Sequence, residues 1–415
     1  MANFGEYYAP DELKGRGMIA LGVGGLGTAI LFGAGFFVPG LMEQALRSWL
    51  LGFIFWGGIT FGCLGVLLLS YLTGGAWAVV SRRVLEAATR CLPIVVLLFV
   101  PLALGVYSGK VYTWTQWLHG EQTEHVMHVM AQRGWFMTPA SWILRTAVYF
   151  AIFGTIIYFL NKWSLQQDKT SNPEDSAMFL GLSTKLAGPS MVIYCIFVTF
   201  AAVDWVMTLD PFFSSTIWGM LFIAGWGLSC FCFVVTVLAF LSDKAPLDRV
   251  VGRRHFHDLG KLMLALVMVW TYFNFVHFLI IWSANIPEET EWFNVRMKGG
   301  WGAVGVMLIA FHFAFPFIVL LQQDFKRRAK WLASIAIFIL VLRVVDMFYL
   351  IGPNPRISLG GAEQGAFMVS PLDLLGPIAV GGFWLWWFLG ELAKRPMMPY
   401  KDPFFEKAIE HGHGH

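Results

Sequence analysis

Apolar and polar residues alternate along this chain in long blocks, not at the short periods of a soluble fold. Ten apolar stretches run at about 18 to 38, 49 to 72, 84 to 106, 142 to 161, 189 to 209, 216 to 241, 258 to 281, 301 to 321, 332 to 351 and 372 to 391. Each holds roughly 20 residues, which at about 1.5 Å per residue crosses about 30 Å of hydrocarbon. Backbone N–H and C=O groups find no water at that depth, so each stretch must satisfy them internally as a helix; barrel strands would be about ten residues of alternating polarity. The pattern predicts an all-α, polytopic membrane protein. Its parts are a polar N-terminal segment at 1–17, a single ten-helix membrane domain at 18–391 and a tail at 392–415.

Composition agrees: 57% of residues are hydrophobic and 13% charged, and a mean hydropathy of +0.63 excludes a water-soluble surface. Lys and Arg in the short connections set the expected orientation. They concentrate in the N-terminal segment, the even-numbered loops and the tail, as in Arg82 and Arg83, Arg253 and Arg254, and Lys326 to Arg328. Their excess over the odd-numbered loops is roughly three to one, which predicts both termini in the cytoplasm. These loops account for the net charge of +3, so nucleic-acid binding is not inferred. The first 17 residues are polar and the first apolar run is of full spanning length, so no cleavable signal peptide is expected. Cys63, Cys91, Cys195, Cys230 and Cys232 all fall within the apolar stretches. None belongs to a CxxCH haem motif or a cluster-binding series, so no redox cofactor or metal is expected in this chain.

The connections are short except for residues 107–141, where GEQTEHVMHVMAQRG can form an interfacial helix with Val126, Met127, Val129 and Met130 on one face. His119, His125 and His128 read as solvated surface there, since His125 and His128 lack a third partner for a metal. The fourth loop, QQDKTSNPEDS, reads as a turn, and the HGHGH ending as a mobile tail without a role. Most of the aromatics, including Trp114, Trp117 and the Trp384, Trp386 and Trp387 cluster, read as interfacial anchors and lipid packing. Gly22, Gly25, Gly33, Gly57, Gly58 and Gly62 in the first two spans favour close helix approach.

Ionisable side chains inside spans are costly, and here they are concentrated. The fifth span carries Asp204, the seventh a stripe of Thr271, Asn274 and His277, and the ninth Arg343, Asp346 and Tyr349 at spacings that share a face. The eighth places His312 near mid-depth, ahead of Pro316, which can open the backbone ladder. All but His312 lie from about mid-membrane towards the external face. Asp, His and Tyr can pass protons, and Arg343 can hold a carboxylate ionised, so these residues are candidates for a proton route. The plainer reading of Arg343 and Asp346 is mutual neutralisation that locks packing. Asp204 and His277 stand out because no cation lies within one turn of either. Tyr71, Glu86, Arg90, Tyr158, Asp258 and Lys261, with Arg145, Asp373 and Glu391, read as ordinary span-end residues, leaving the inner half sparse.

The second-span sequence WLLGFIFWGGITFGCLGVLLLSYLTGGAW, the following SRRVLEAATRCLP and the fifth-span run DWVMTLDPFFSSTIWG resemble the ActF-type membrane subunits of bacterial alternative complex III. These belong with the NrfD-like membrane anchors of polysulfide and related reductases. The resemblance covers essentially the whole chain, and DWVMTLDP is its most specific part. It implies two four-helix bundles, spans 2–5 and 6–9, flanked by spans 1 and 10. It further implies an assembly in the bacterial cytoplasmic membrane that oxidises menaquinol or ubiquinol and reduces a cytochrome c or an attached terminal oxidase. The implied partners are a multihaem cytochrome c subunit, an iron–sulfur subunit, a second NrfD-like subunit holding the quinol site, and small membrane subunits. Haem c, iron–sulfur clusters and quinol would then reside in those partners. Carried over by position, Asp204, His277, Arg343 and Asp346 would be proton-route residues, with His312 beside them.

The leading expectation is therefore a non-catalytic, cofactor-free subunit of a quinol:cytochrome c oxidoreductase that serves as scaffold and as proton-translocating element. Two alternatives stand beside it. One is a quinone-binding redox anchor, with His277 or Asp204 on the head group. The other is a stand-alone secondary transporter, disfavoured because the sequence shows neither an inverted repeat nor paired interrupted helices around a midplane site.

Overall fold

The computed structural model describes residues 8, 12–118, 124–245, 247–357 and 367–413. Among these residues there is no strand, and ten helical segments are long and apolar enough to span a membrane. We number them α1 (Gly15–Phe37), α2 (Leu41–Thr73), α3 (Ala76–Tyr107), α4 (Pro139–Lys169), α5 (Pro173–Leu209), α6 (Trp218–Leu241), α7 (Arg253–Ala284), α8 (Gly299–Leu321), α9 (Ala329–Ile351) and α10 (Pro371–Ala393). All ten expected spans are present. Several start earlier than apolarity alone predicts, because polar first turns such as Pro173, Glu174 and Asp175 begin the helix, with the Asn172 side chain accepting from the Glu174 N–H.

Two of the irregularities have local causes. The helix of α3 is interrupted between Ala76–Thr89 and Leu92–Tyr107. Pro93 cannot donate to the carbonyl of Thr89 and crowds it, and the next carbonyl, that of Arg90, accepts from the Trp387 indole at 3.0 Å. In α8 a π-helical turn covers Leu308–Ala314, just before Pro316, which cannot bond back to the carbonyl of His312.

Helices α2 to α5 pack in a ring, each on the next and α5 back on α2; α6 to α9 repeat the same ring order. The two four-helix bundles meet along α2 and α6, with α5 on α6 and α9 on α2 at the sides. Spans α2 and α6 are accordingly the most buried. Helix α10 packs on α1 and α2 and reaches α6 through Trp384 and Phe388, both against Phe233. At the central seam, a Cβ on Gly62 would lie 2.1 Å from the Trp226 carbonyl oxygen, and one on Gly58 2.3 Å from its indole nitrogen. The α2 backbone can approach α6 only because both positions lack a side chain. Gly22, Gly25 and Gly33 of α1, also expected to favour close approach, have nothing within 4 Å of such a Cβ.

The start of α1 and the end of α10 lie at one end of the molecule, called here the end holding the termini, where Glu12 pairs with Lys244 at 3.1 Å. Beyond α10 the chain runs across this end as a strap. Asp402 forms a buried ion pair with Arg82 of α3 at 2.5 Å, and the carbonyl of Lys401 accepts from Ser176 of α5 at 2.6 Å. Helix Phe405–His413 then buries Phe405 and Ala408 and reaches the second bundle. There His411 meets Asp258 at 2.8 Å, His413 meets the Arg249 carbonyl at 2.9 Å, and Gly412 lies against Gly252 and His255. The tail expected to be mobile is therefore ordered through His413, because its small and apolar positions complete the packing of two bundles. A short helix after α3, as expected there, covers Glu124–Arg133, with Val129 buried and His128 exposed; His119 and the side chain of His125 lie outside the described residues.

Three substitutions test this packing by thermal unfolding of the purified full chain. Gly62→Ala is expected to destabilise by about 1–3 kcal/mol through overpacking, whereas Gly25→Ala stays within about 0.5 kcal/mol. Asp402→Ala, which leaves Arg82 buried without its carboxylate, is expected to cost about 3–5 kcal/mol.

Candidate functional site

The candidate residues fall into two clusters in the second bundle and one in the first. In the first bundle, Asp204 sits in the last turn of α5, fully buried. Its carboxylate accepts a two-pronged contact from Arg145 of α4, at 2.9 Å from Nε and 2.8 Å from the second terminal nitrogen, and a third hydrogen bond from the Tyr149 hydroxyl at 2.6 Å. Its carbonyl accepts from the Trp142 indole at 2.7 Å and the Thr208 hydroxyl at 2.6 Å. No cation lies within one turn of Asp204 on α5 itself, as the sequence indicates, but one reaches it from the neighbouring helix. The cation is Arg145, distant in sequence but brought alongside because α4 and α5 pack antiparallel, and it is no ordinary span-end residue. Its guanidinium lies over the Phe136 ring at 3.6 Å and donates to the Phe136 carbonyl at 3.0 Å. Phe136 also lines a cavity of about 170 Å³ with Arg133, Thr208, Asp210 and Phe213. Burial raises the carboxyl of Asp210 above the usual carboxylate range, opposed by hydrogen bonds from the backbone of Phe212 and by Arg296.

At mid-depth in the second bundle, Arg343 and Asp346 of α9 form an ion pair, both nearly inaccessible. A Cβ on Gly225 of α6 would fall 2.2 Å from the guanidinium, so this glycine is what admits the charge. Arg343 also approaches Ser229 at 3.4 Å, and Asp346 accepts from Trp270 of α7. The Trp270 ring lies 4.0 Å from that of His312. His312 is fully buried on the π-helical turn, and neither ring nitrogen has a hydrogen-bond partner among the described residues. Two unsatisfied imidazole nitrogens in an apolar setting cost several kcal/mol unless water reaches them.

Towards the end opposite the termini, His277 of α7 is enclosed by Phe213, Trp218, Trp292 and Phe293, and its Nε2 has no hydrogen-bond partner. Arg296 lies 3.5 Å from the Trp292 ring, donates to the Leu350 carbonyl and the Asn354 side chain at 3.0 and 2.9 Å, and is pushed down to about 9 by burial. Tyr349 donates to the Arg296 carbonyl at 3.3 Å. Asn274 does not join this group. It is half-buried and bonds the Trp270 carbonyl of its own helix, as Thr271 bonds Val267, so the threefold stripe reduces to His277. Phe213 links the first and third clusters, since it both lines the cavity beside Asp210 and packs on His277.

Two further networks escaped the sequence reading. At the end holding the termini, Arg83 joins Glu86, Asp168 and Ser164, while Arg90 joins Glu391 at 2.8 Å and Asn161 at 2.8 Å. Arg395 closes the group on Glu86 at 3.6 Å. The inner half is therefore rich in charge, not sparse. The signal was present in SRRVLEAATR, where Arg83, Glu86 and Arg90 repeat at helical spacing among small and apolar residues. At the opposite end Gln44 and Ser48 donate to Asp373 at 2.6 and 2.8 Å, and Arg47 pairs with Glu43 and donates to the Asn354 carbonyl at 3.1 Å.

The Arg145–Asp204 pair makes a stability prediction. Arg145→Met is expected to cost about 3–5 kcal/mol by leaving Asp204 buried alone. Added to Asp204→Asn it should cost less than the sum, with a coupling of about 1–3 kcal/mol in a double-mutant cycle of unfolding. The chain matches no protein-family model and no curated protein, so its own side-chain arrangement must carry the functional reading.

Proposed function

We propose that this chain is a membrane subunit of a quinol:cytochrome c oxidoreductase of the alternative complex III type, acting as scaffold and as carrier of protons across part of the bilayer. The observation that carries the reading is His312. A fully buried imidazole without hydrogen-bond partners, beside the Arg343–Asp346 pair and on a π-helical turn, is a costly arrangement that packing alone does not require. The resemblance carried by the second and fifth spans supplies the setting. In that setting the chain lies in a bacterial cytoplasmic membrane with both termini in the cytoplasm. Its partners are the multihaem cytochrome c, the iron–sulfur subunit and the second NrfD-like subunit that oxidises quinol.

The chemistry asked of this chain is proton exchange. Asp204 exchanges a proton near the cavity lined by Asp210, and His312 exchanges one with water beside Asp346. A change of electric field or helix position next door shifts the balance between the protonated and ionised states. Arg145 and Arg343 hold the two carboxylates in place through their ion pairs.

The test is quinol:cytochrome c turnover of the purified assembly in sealed liposomes, with internal and external pH followed. For Asp204→Asn and His312→Leu the expected outcome is continued turnover with fewer protons released per electron. An unchanged ratio in both variants of an intact complex leaves the scaffold role alone.

A further inference from the structure

We infer that the cleft between α3 and α4 seats one hydrocarbon chain of an anionic phospholipid. The cleft has a volume of about 460 Å³, and its walls include Val96, Phe99, Ala103, Leu104, Ile143 and Ala147. All belong to membrane-spanning segments, so the cleft opens sideways into hydrocarbon, not into water. Ala103 and Ala147 give it depth, since their neighbours along the wall are larger.

The shape and chemistry select the occupant. A cleft of about 460 Å³ has little room for a partner helix, which with its side chains is about 10–12 Å across. A quinone head group needs hydrogen-bond partners for its oxygens, and the only polar side chain on the lining is Tyr107 at the rim. An alkyl chain needs none. Tyr107 is 81% exposed, as a headgroup-level aromatic is. Just past it Ser108 and Lys110 are exposed, and Lys110 is fixed on a turn by its backbone N–H to the Gly105 carbonyl at 2.9 Å. A chain in the cleft therefore places its headgroup beside an ammonium, which favours a phosphate without a compensating amine.

The occupant also has a structural consequence. The cleft's Phe99 stacks on Trp142 at 5.1 Å, and its Phe150 packs on Trp205 at 6.0 Å. Those indoles donate to the Asp204 carbonyl and to Thr146. The lipid chain thus backs the aromatic layer that positions the Asp204 turn. This inference does not depend on the proposed function.

The experiment uses the full chain in detergent. Retained lipid is identified by native mass spectrometry and extraction, and delipidated protein is titrated with phosphatidylglycerol while its Tm is followed. Wild type is expected to retain one phosphatidylglycerol and to regain Tm with it at lower concentration than with phosphatidylethanolamine. Ala147→Trp, which fills the cleft, is expected to bind phosphatidylglycerol about ten-fold more weakly, and Lys110→Glu to lose the headgroup preference. Retention of a quinone displaced by Ala147→Trp would overturn the inference, as would undiminished phosphatidylglycerol binding by that variant. If Ala147→Trp fails to fold, the wild-type titration decides: no Tm response, or equal responses to both lipids, refutes the anionic-lipid site.

Discussion

Hydrocarbon offers no water to a charged group, and this fold is arranged around that fact. Every buried or half-buried arginine discussed above finds oxygens, often on another helix: Arg82 on the strap, Arg83 and Arg90 on α4 and α10, Arg145 on α5, Arg296 on α9. Arginine suits the task because its planar fork can satisfy two acceptors at once and keeps its charge at low dielectric. Such pairs add little net stability relative to apolar packing, but removing one partner is expensive. They therefore act chiefly as registers that fix which helix faces which, while the apolar seam of α2 and α6 supplies contact area.

The two bundles share a ring order, and each contains a buried arginine–carboxylate pair, yet their surroundings differ. Arg145 and Asp204 sit beside a small cavity at the end opposite the termini, with Tyr149 completing the carboxylate's partners. Arg343 and Asp346 sit in the interior, with His312 close by and unsatisfied. One pair thus lies close to a small cavity, the other is enclosed beside an imidazole with no hydrogen-bond partner among the described residues. That difference gives the same architecture two chemical environments for a buried carboxylate.

Much of the fold was legible because block hydrophobicity is a one-dimensional signal. Ten spans, the interfacial helix and the disturbance before Pro316 could all be read from neighbours in sequence. Asp204, His312, Arg343 and Asp346 stood out for the same reason, each being a polar residue in an apolar run. Pairing was not legible in this way. Arg145 lies near a span end and looked like an anchor, and only the packing of α4 on α5 shows what it holds. Asn274 was misleading in the opposite sense, because a side chain at the right spacing still chose its own backbone over the stripe. The Arg83, Glu86 and Arg90 series was visible but ambiguous, since a snorkelling surface and a buried network share the same spacing until neighbouring helices are placed.

The strap imposes an order on biogenesis. Arg82 and Asp402 are 320 positions apart, so the arginine is threaded through translation and insertion long before its carboxylate leaves the ribosome. During that interval the end holding the termini presents uncompensated cationic groups, and the two bundles are joined there only through helix contacts. A product interrupted after α10 would have all its spans yet remain open at that face. Closure of that face is thus reported by the strap, which gives a structural difference between a chain whose two bundles are joined there and one that is merely inserted.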